Sequence, residues 1–416
     1  LSKTIPLDIA LFIAKRIAFN RQPSFSRFII RLTVAATAVS VAAMIITLSF
    51  VNGFQHAVSE KVFSFWGHIR VQVYEPGKSL IAEETPLEKD DSTIAVIQQI
   101  QGINRVQAFA TRSAVIEKNK EIEGILIKGV EAGYQFESLQ PFLKSGRWVN
   151  FTDSAYQREI VIAAPAAQLL KVKAGDSLNI HFIDAEQGRS SSRKLLVAGI
   201  FKTGIEEYDK LFAIGDIRLI QKLNNWSDKT IGGYEVFLND YRQLNELNNV
   251  LYDRLPPEWV SKTVKEVYPN IFDWLNIQDV NRDVIFSVMS VVALINMISC
   301  LLILVLERTR MIGILKATGA TDGLVQRIFL YQSGYIAFVG TVAGFVVGAG
   351  LALLQQYTGF ITLDETAYYV SVAPVKIVWW QVLLVCVSSF LICFQALRLP
   401  LLIVRGMKPV NAIQFR

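Results

Sequence analysis

Residues 32–55 read LTVAATAVSVAAMIITLSFVNGFQ, and no Asp, Glu, Lys or Arg interrupts them. A helix needs about 20 apolar residues to cross the hydrocarbon core of a bilayer. Three further charge-free runs of this kind lie within residues 283–306, 328–354 and 377–397. Helices buried in soluble proteins usually keep a polar face, and these four have none. The fold class expected is therefore a membrane protein with four transmembrane α-helices. The first run exceeds the 7–15 apolar residues of a secretory leader core, and about thirty residues precede it, so it reads as a span; a cleaved leader is the alternative.

The composition agrees. Of 416 residues, 52% are hydrophobic and 19% charged, against roughly 25% charged in a typical soluble domain. The net charge of +6 is unevenly spread. Between Phe54 and Arg282 there are 27 basic and 30 acidic residues, so that block is slightly acidic and its flanks are basic. Nucleic-acid binding needs a basic stripe on a folded face, which this arrangement does not supply. Cys300, Cys386 and Cys393 all sit in apolar runs and read as small packing residues. His56, His68 and His181 have no partners at metal-ligand spacing.

Basic residues set the orientation. Lys3, Lys15, Arg16, Arg21, Arg27 and Arg31 precede the first span; Arg308, Arg310, Lys316 and Arg327 lie between the second and third; Arg398, Arg405, Lys408 and Arg416 end the chain. These segments belong in the cytoplasm, with both termini inside. The domain plan is then an N-terminal interfacial or cytoplasmic segment (1–31), span 1 (32–55), a large outer domain (56–282), span 2 (283–306), a cytoplasmic loop (307–327), span 3 (328–354), a short outer segment (355–376), span 4 (377–397) and a tail (398–416). Residues 7–19 read either as a helix lying on the inner leaflet or as the plain approach to span 1.

The outer block reads as mixed α and β. Short runs rich in β-branched residues occur at 68–74, 106–117, 124–130, 159–163, 177–183, 194–201 and 234–238. Helices are expected at 92–101, 216–225 and 240–255, with Asp216 and Asp240 as N-caps and Pro256-Pro257 as a stop.

The charge-free runs of the four spans (the second from Val284) carry no Asp, Glu, Lys or Arg, whereas ion-coupled transporters need such groups at the membrane midplane. Asn296 and Gln395 are polar and suit interhelical hydrogen bonds. No phosphate-binding G-x-x-x-x-G-K-[ST] loop, G-x-S-x-G, H-E-x-x-H or C-x-x-C is present, so the sequence offers no catalytic centre. Gly340, Gly344 and Gly348 fall four apart on one face of span 3 and permit close backbone approach, to a neighbouring span or a second chain. The loop E-R-T-R-M-I-G-I-L-K-A-T-G-A (307–320) is short, basic at its start and apolar at Met311, Ile312, Ile314 and Leu315. It reads either as an amphipathic helix that lodges in a groove of a cytoplasmic partner or as a solvated connector.

This loop resembles the coupling segment of FtsX-like ABC permeases, which docks onto a separate ATPase. Residues 27–54, ending in N-G-F, resemble the first span of the LolC/LolE family. Residues 197–211, V-A-G-I-F-K-T-G-I-E-E-Y-D-K-L, resemble its F-x-T-G-x-x-E-Y-D pattern, and Y-Y-V-S-V-A-P-V (368–375) resembles the segment before its fourth span. The resemblance covers nearly the whole chain. It implies the MacB-like α+β outer domain and a bacterial inner-membrane location. It also implies a permease subunit, not itself an enzyme, that releases lipoproteins to a periplasmic carrier by mechanotransmission, with ATP and Mg on the partner chain and none on this one. The implied partners are a cytoplasmic ATPase, a second permease subunit in a homo- or heterodimer, a lipoprotein and a carrier.

By the same resemblance Glu307, Arg308, Arg310, Ile312, Ile314, Leu315, Lys316 and Gly319 form the coupling helix, and Val41, Ile45 and Leu48 line a lipoprotein cavity. The family's carrier-docking hairpin falls at 184–193, with Asp184, Glu186, Gly188, Arg189 and Arg193. Here the stretch is short and lacks the family's proline, so it serves as a docking hairpin or as an ordinary exposed turn. The rival readings are a MacB- or FtsX-like efflux or signalling permease, and a membrane-anchored receptor or scaffold with no ATPase.

Overall fold

The computed structural model describes residues 10–13, 25–76, 83–118, 121–151, 156–184 and 189–396. It has two units: a helical unit (Leu1–Gln55, Leu275–Ile361, Ala373–Arg416) and a sheet unit (His56–Trp274, Thr362–Val372). Residues 362–372, expected as part of a separate short outer segment, belong to the sheet unit.

Helix α1 (Phe25–Trp66) leads into strands β1 (Ile69–Val73) and β2 (Leu87–Glu88), helix α2 (Asp91–Gln98), and the long hairpin of β3 (Ile103–Lys118) and β4 (Glu121–Val130). Next come β5 (Leu143–Gly146), β6 (Glu159–Ala163), α3 (Ala164–Leu169), and the hairpin strands β7 (Ser177–Asp184) and β8 (Arg189–Phe201). The remaining sheet-unit elements are α4 (Glu206–Leu211), β9 (Phe212–Asp216), α5 (Ile217–Leu223), β10 (Thr230–Ile231), β11 (Gly233–Leu238), α6 (Leu244–Tyr252), β12 (Trp259–Thr263) and α7 (Val264–Val267). Then follow α8 (Pro269–Glu307), α9 (Thr309–Ala317), α10 (Asp322–Thr358), α11 (Glu365–Tyr368) and α12 (Trp379–Ala396).

The main sheet runs β12-β1-β11-β3-β4-β9-β6-β8-β5, and β7 pairs with β3 and β8. The β4–β9 and β6–β8 pairs are parallel. Two apolar clusters pack on it. One gathers Ile69, Val71, Ile97, Val236 and Leu251; the other gathers Ile116, Ile127, Ile162, Ile180 and Val197. Local chemistry starts the helices where expected. The Asp216 carboxylate accepts from the Arg218 amide at 2.9 Å and opens α5. Asp240 accepts from the Arg242 amide at 3.0 Å and opens a 3-10 turn that precedes α6.

All strands read from the sequence are present, some extended at their ends. Strands β2, β5, β9, β10 and β12 were not among them; in β9 only Ile214 is β-branched, so it formed no run of the kind that marks a strand.

In the helical unit α1, α8 and α10 are long and apolar enough to cross a membrane. Helix α12, in the expected fourth span, has 18 described residues, slightly short of the roughly 20 that span a bilayer. The tail 398–416 lies outside the described residues. The helices outrun the charge-free runs: α1 continues to Trp66, and α8 begins at Pro269. A charge-free run marks what suits hydrocarbon, and polar residues can continue a helix beyond it. Of residues 7–19, the described part is helical at 10–13, and Ala10 packs with Ile328.

Candidate coupling site

Helix α8 ends at Glu307, and Arg308 leaves helical geometry with φ −101° and ψ 15°. Helix α9 then runs nine residues. Gly319, at φ +94°, closes it in the left-handed conformation that favours glycine. Thr321 caps the next helix, its hydroxyl accepting from the Leu324 amide at 3.4 Å. Lys316 pairs with Asp322 across this turn at 2.8 Å.

The apolar residues of α9 divide. Ile312 is fully buried in a cluster with Met297, Leu301, Leu304, Val325 and Phe329. Leu315 packs against the cluster of Ala10 and Ile328. Ile314, by contrast, is 51% exposed. Arg310, Ile314, Ala317 and Thr318 are exposed, and their spacing places them on one face of α9; Glu307, at the end of α8, is exposed as well. The structure therefore separates the candidate residues into an inner set (Ile312, Leu315, with Arg308 and Lys316 half-buried) and an outer set (Glu307, Arg310, Ile314, Gly319). An exposed branched aliphatic flanked by charges on a short, anchored helix suits insertion into a partner's groove.

The glycines of α10 face helix α1 of the same chain. A Cβ at Gly344 would stand 2.7 Å from the Ala38 carbonyl oxygen and from Val41 Cβ; one at Gly340 would meet Thr37, and one at Gly348 would meet Ala42. Val41, Ile45 and Leu48 lie in this buried interior with Val382 and Val385. All three are buried, and the glycine seam sets α10 against Val41 and Ile45. The large apolar residues exposed on α1 include Leu32 and Val39 instead. Asn296 donates to the Thr33 carbonyl at 3.2 Å, an interhelical bond of the expected kind. Gln395 is exposed. At the end of the first span Asn52 donates to Gln381 at 2.7 Å, and a Cβ on Gly53 would overlap the Pro374 carbonyl at 2.2 Å.

In the sheet unit the end of α1 is bound by buried charges. Lys128 pairs with Glu235 at 2.5 Å, both fully buried, and donates to the Phe65 carbonyl. Its ammonium lies 4.5 Å from the Trp66 ring centroid. Arg70 pairs with Glu84 at 2.9 Å and stacks over Trp66 at 4.3 Å. Burial pulls the Lys128 ammonium down from the ordinary lysine range, and Glu235 opposes that shift. Burial pushes the Glu84 carboxyl up, while Arg70 and the Thr111 hydrogen bonds pull it back.

The F-x-T-G-x-x-E-Y-D stretch builds a compact turn nearby. The buried Asp209 carboxylate accepts from the Thr203 amide at 2.8 Å and from the Gly204 amide at 2.9 Å. Tyr208 is fully buried and stacks on Phe65 at 4.9 Å.

Strands β7 and β8 form the hairpin expected around 184–193, in register from Ser177↔Leu196 to Asp184↔Arg189. Glu186 and Gly188 lie outside the described residues. Arg193 is half-buried and donates to the Ser192 carbonyl at 2.9 Å.

Residues 31–240 match the model of the MacB-like periplasmic core domain, and residues 284–409 match the FtsX-like permease C-terminal model. The chain belongs to the FtsX-like permeases with a MacB-like periplasmic core. This permease is similar over nearly its whole length to LolC and LolE proteins. It is 22% identical to the lipoprotein-releasing system transmembrane protein LolC of Neisseria meningitidis, covering 95% of this chain and 96% of the relative. It is 23% identical to LolC of Haemophilus influenzae (98% and 99%) and 23% identical to LolE of the same organism (94% and 95%). Among solved structures, the periplasmic region of MacB from Actinobacillus actinomycetemcomitans matches 49% of this chain and 91% of its own at 13% identity, with a TM-score of 0.33. The extracellular domain of the ABC-type transporter YknZ matches 47% of this chain and 98% of its own at 15% identity, with a TM-score of 0.32.

Sequence reasoning about this permease missed Lys61, Lys202 and Glu365. Glu365 accepts from Lys202 and lies 3.9 Å from Lys61. Their sequence separations leave no local pattern to read. The available signal was that Lys202 lies inside the 197–211 motif stretch and Glu365 three residues before the 368–375 stretch; nothing local marks Lys61.

Proposed function

We propose that this permease is the membrane subunit of an ABC-type complex that releases lipoproteins from the bacterial inner membrane to a periplasmic carrier. ATP and Mg are held by a separate cytoplasmic ATPase, and a second permease subunit completes the complex. The similarity to LolC and LolE over nearly the full length carries this reading. The exposed Arg310–Ile314 face of α9 agrees with it. In this reading four spans leave both termini in the cytoplasm. Motion of the ATPase enters through α9. Because Ile312 is packed among Leu304, Val325 and Phe329, a push on α9 is passed to α8 and α10 rather than absorbed. The acyl anchor is handled at exposed apolar faces such as that of Val284, Val288, Val291 and Ile295 on α8. No solute path through the spans is required.

The test is affinity purification of the tagged chain in mild detergent with mass spectrometry of what accompanies it. An ATPase and acylated lipoprotein together support the reading. An ATPase alone favours efflux or signalling, and no ATPase, where a control complex stays intact, favours a receptor or scaffold. Ile314→Asp should weaken recovery of the ATPase roughly tenfold or more, as loss of a central apolar anchor does, while the purified chain unfolds as the wild type does.

A further inference from the structure

Residues 362–372 form a small hairpin closed by the Thr362↔Val372 bridge and by the Leu363 amide donating to the Ser371 carbonyl at 3.0 Å. Helix α11 forms its tip, opened by Asp364, whose carboxylate accepts from the Thr366 amide at 3.0 Å. The tip is held from three directions within the sheet unit. Lys202 donates to Glu365. Lys61 donates to the Tyr369 carbonyl at 2.7 Å and sits 3.9 Å from Glu365. The Trp274 ring meets Tyr369 edge-on at 5.6 Å.

Two backbone features show that this seat is specific. Tyr369 adopts φ +62°, a left-handed conformation that costs an L-residue energy unless its surroundings impose it. Gly204, at φ +77°, lies so close that a Cβ there would stand 2.3 Å from Glu365 Oε1 and 2.7 Å from Lys61 Nζ. Asp209 fixes that turn through the Thr203 and Gly204 amides. The base of the hairpin is fixed as well. In the helical unit the buried Gln355 of α10 accepts from the Ile361 amide at 2.9 Å and donates to the Ala373 carbonyl at 3.0 Å. Lys376 donates its amide to the Ser49 carbonyl at 3.0 Å.

We infer that this hairpin is a tie through which the sheet unit follows the α10 and α12 helices, with Glu365, Lys61 and Lys202 as its positioning residues. The inference rests on the proposed function for its output, the release of lipoprotein. A segment clamped at both base and tip transmits displacement; one clamped at the base alone does not. All three side chains are half-buried, and their part is to hold the tip in position. The sheet unit thereby receives motion by a second route, besides the continuation of α1 and α8 into it.

The experiment uses the full chain with its ATPase in lipid nanodiscs. Glu365→Lys, Glu365→Gln and the swap Lys202→Glu with Glu365→Lys are compared with the wild type. One readout is hydrogen exchange at residues 203–209 with and without a non-hydrolysable ATP analogue; the other is lipoprotein released per ATP hydrolysed. In the wild type the nucleotide should change exchange at 203–209. Glu365→Lys should abolish that response and cut release per ATP roughly tenfold at an unchanged hydrolysis rate, a loss confined to coupling. The swap should restore both to within about twofold, as expected when two residues act as a pair. If Glu365→Lys fails to fold, Glu365→Gln gives the same test with a smaller loss.

A nucleotide response that survives in both Glu365 variants overturns the tie, as does a wild type with no response. A wild type that responds but releases no lipoprotein overturns the proposed function. The tie then stands or falls on the exchange readout alone.

Discussion

In the helical unit Gly340, Gly344 and Gly348 let α10 meet α1 at backbone distance, whereas in the sheet unit two buried ion pairs, Arg70–Glu84 and Lys128–Glu235, hold the last turn of α1. The difference follows from the two surroundings. Hydrocarbon gives apolar side chains little reason to prefer one another, so spanning helices gain specificity from small residues and close contact. A sheet core formed in water buries apolar surface readily, and charges placed within it demand one arrangement because each must find its partner. One interface is specified by shape, the other by charge.

The largest test of this contrast is Glu235→Gln. It leaves the Lys128 ammonium buried beside a neutral amide and should lower stability by about 3–5 kcal/mol, the range for breaking a buried pair. The double change Lys128→Met with Glu235→Leu should cost far less. Both are read from denaturant unfolding of the full chain followed by tryptophan fluorescence. A single variant as stable as the wild type would show that the pair does not specify this packing.

The counterpart in the helical unit is Gly344→Val. The new side chain would overlap Ala38 and Val41 and should cost about 1–3 kcal/mol, as overpacking does. Gly350, where a Cβ meets nothing within 4 Å, is the control: Gly350→Ala should be neutral or stabilising by up to about 1 kcal/mol. Equal losses at the two glycines would mean that the seam is not a matter of shape.

The last test is a titration. His68 stacks on Phe63 at 4.3 Å, and its Nδ1 accepts from the Leu238 amide at 3.2 Å. Burial, with a contribution from Arg105, lowers its pKa from 6.5 to about 4. The unfolded chain therefore takes up a proton that the folded one refuses as pH falls from 6.5 toward 4. Stability from this group is complete above pH 6.5 and declines across that window by at most about 1.4 kcal/mol per pH unit. His68→Gln keeps an acceptor and should flatten the slope of unfolding free energy between pH 7 and 5. An unchanged slope would place the pH dependence elsewhere.

Much of the fold was legible because it has a local cause. Charge-free runs reveal spans, Asp216 and Asp240 reveal helix starts, and β-branched runs reveal strands. Strand β9, with Ile214 its one β-branched residue, offered no such run to read. The 307–320 loop was legible as a segment, but its division was not. Ile312 and Ile314 are equally apolar in the sequence, and only tertiary packing sends one inward and leaves the other exposed. The glycine spacing gave the seam and not its partner. Val41, Ile45 and Leu48 are buried on a helix that is apolar on most faces, so composition cannot tell a lining residue from a packed one. The Lys61–Lys202–Glu365 seat joins residues up to 304 apart and has no short-range signature.

The sheet unit is completed by eleven residues that the chain supplies long after the rest of it, Thr362–Val372. A soluble fragment running from His56 to Trp274 would lack them. Lys61 and Lys202 would lose the carboxylate they share, the cleft above Gly204 would open to solvent, and Trp274 would lose Tyr369. Biochemistry on such a fragment would describe an unfinished surface. Grafting residues 362–372 onto its end through a flexible linker is the minimal repair.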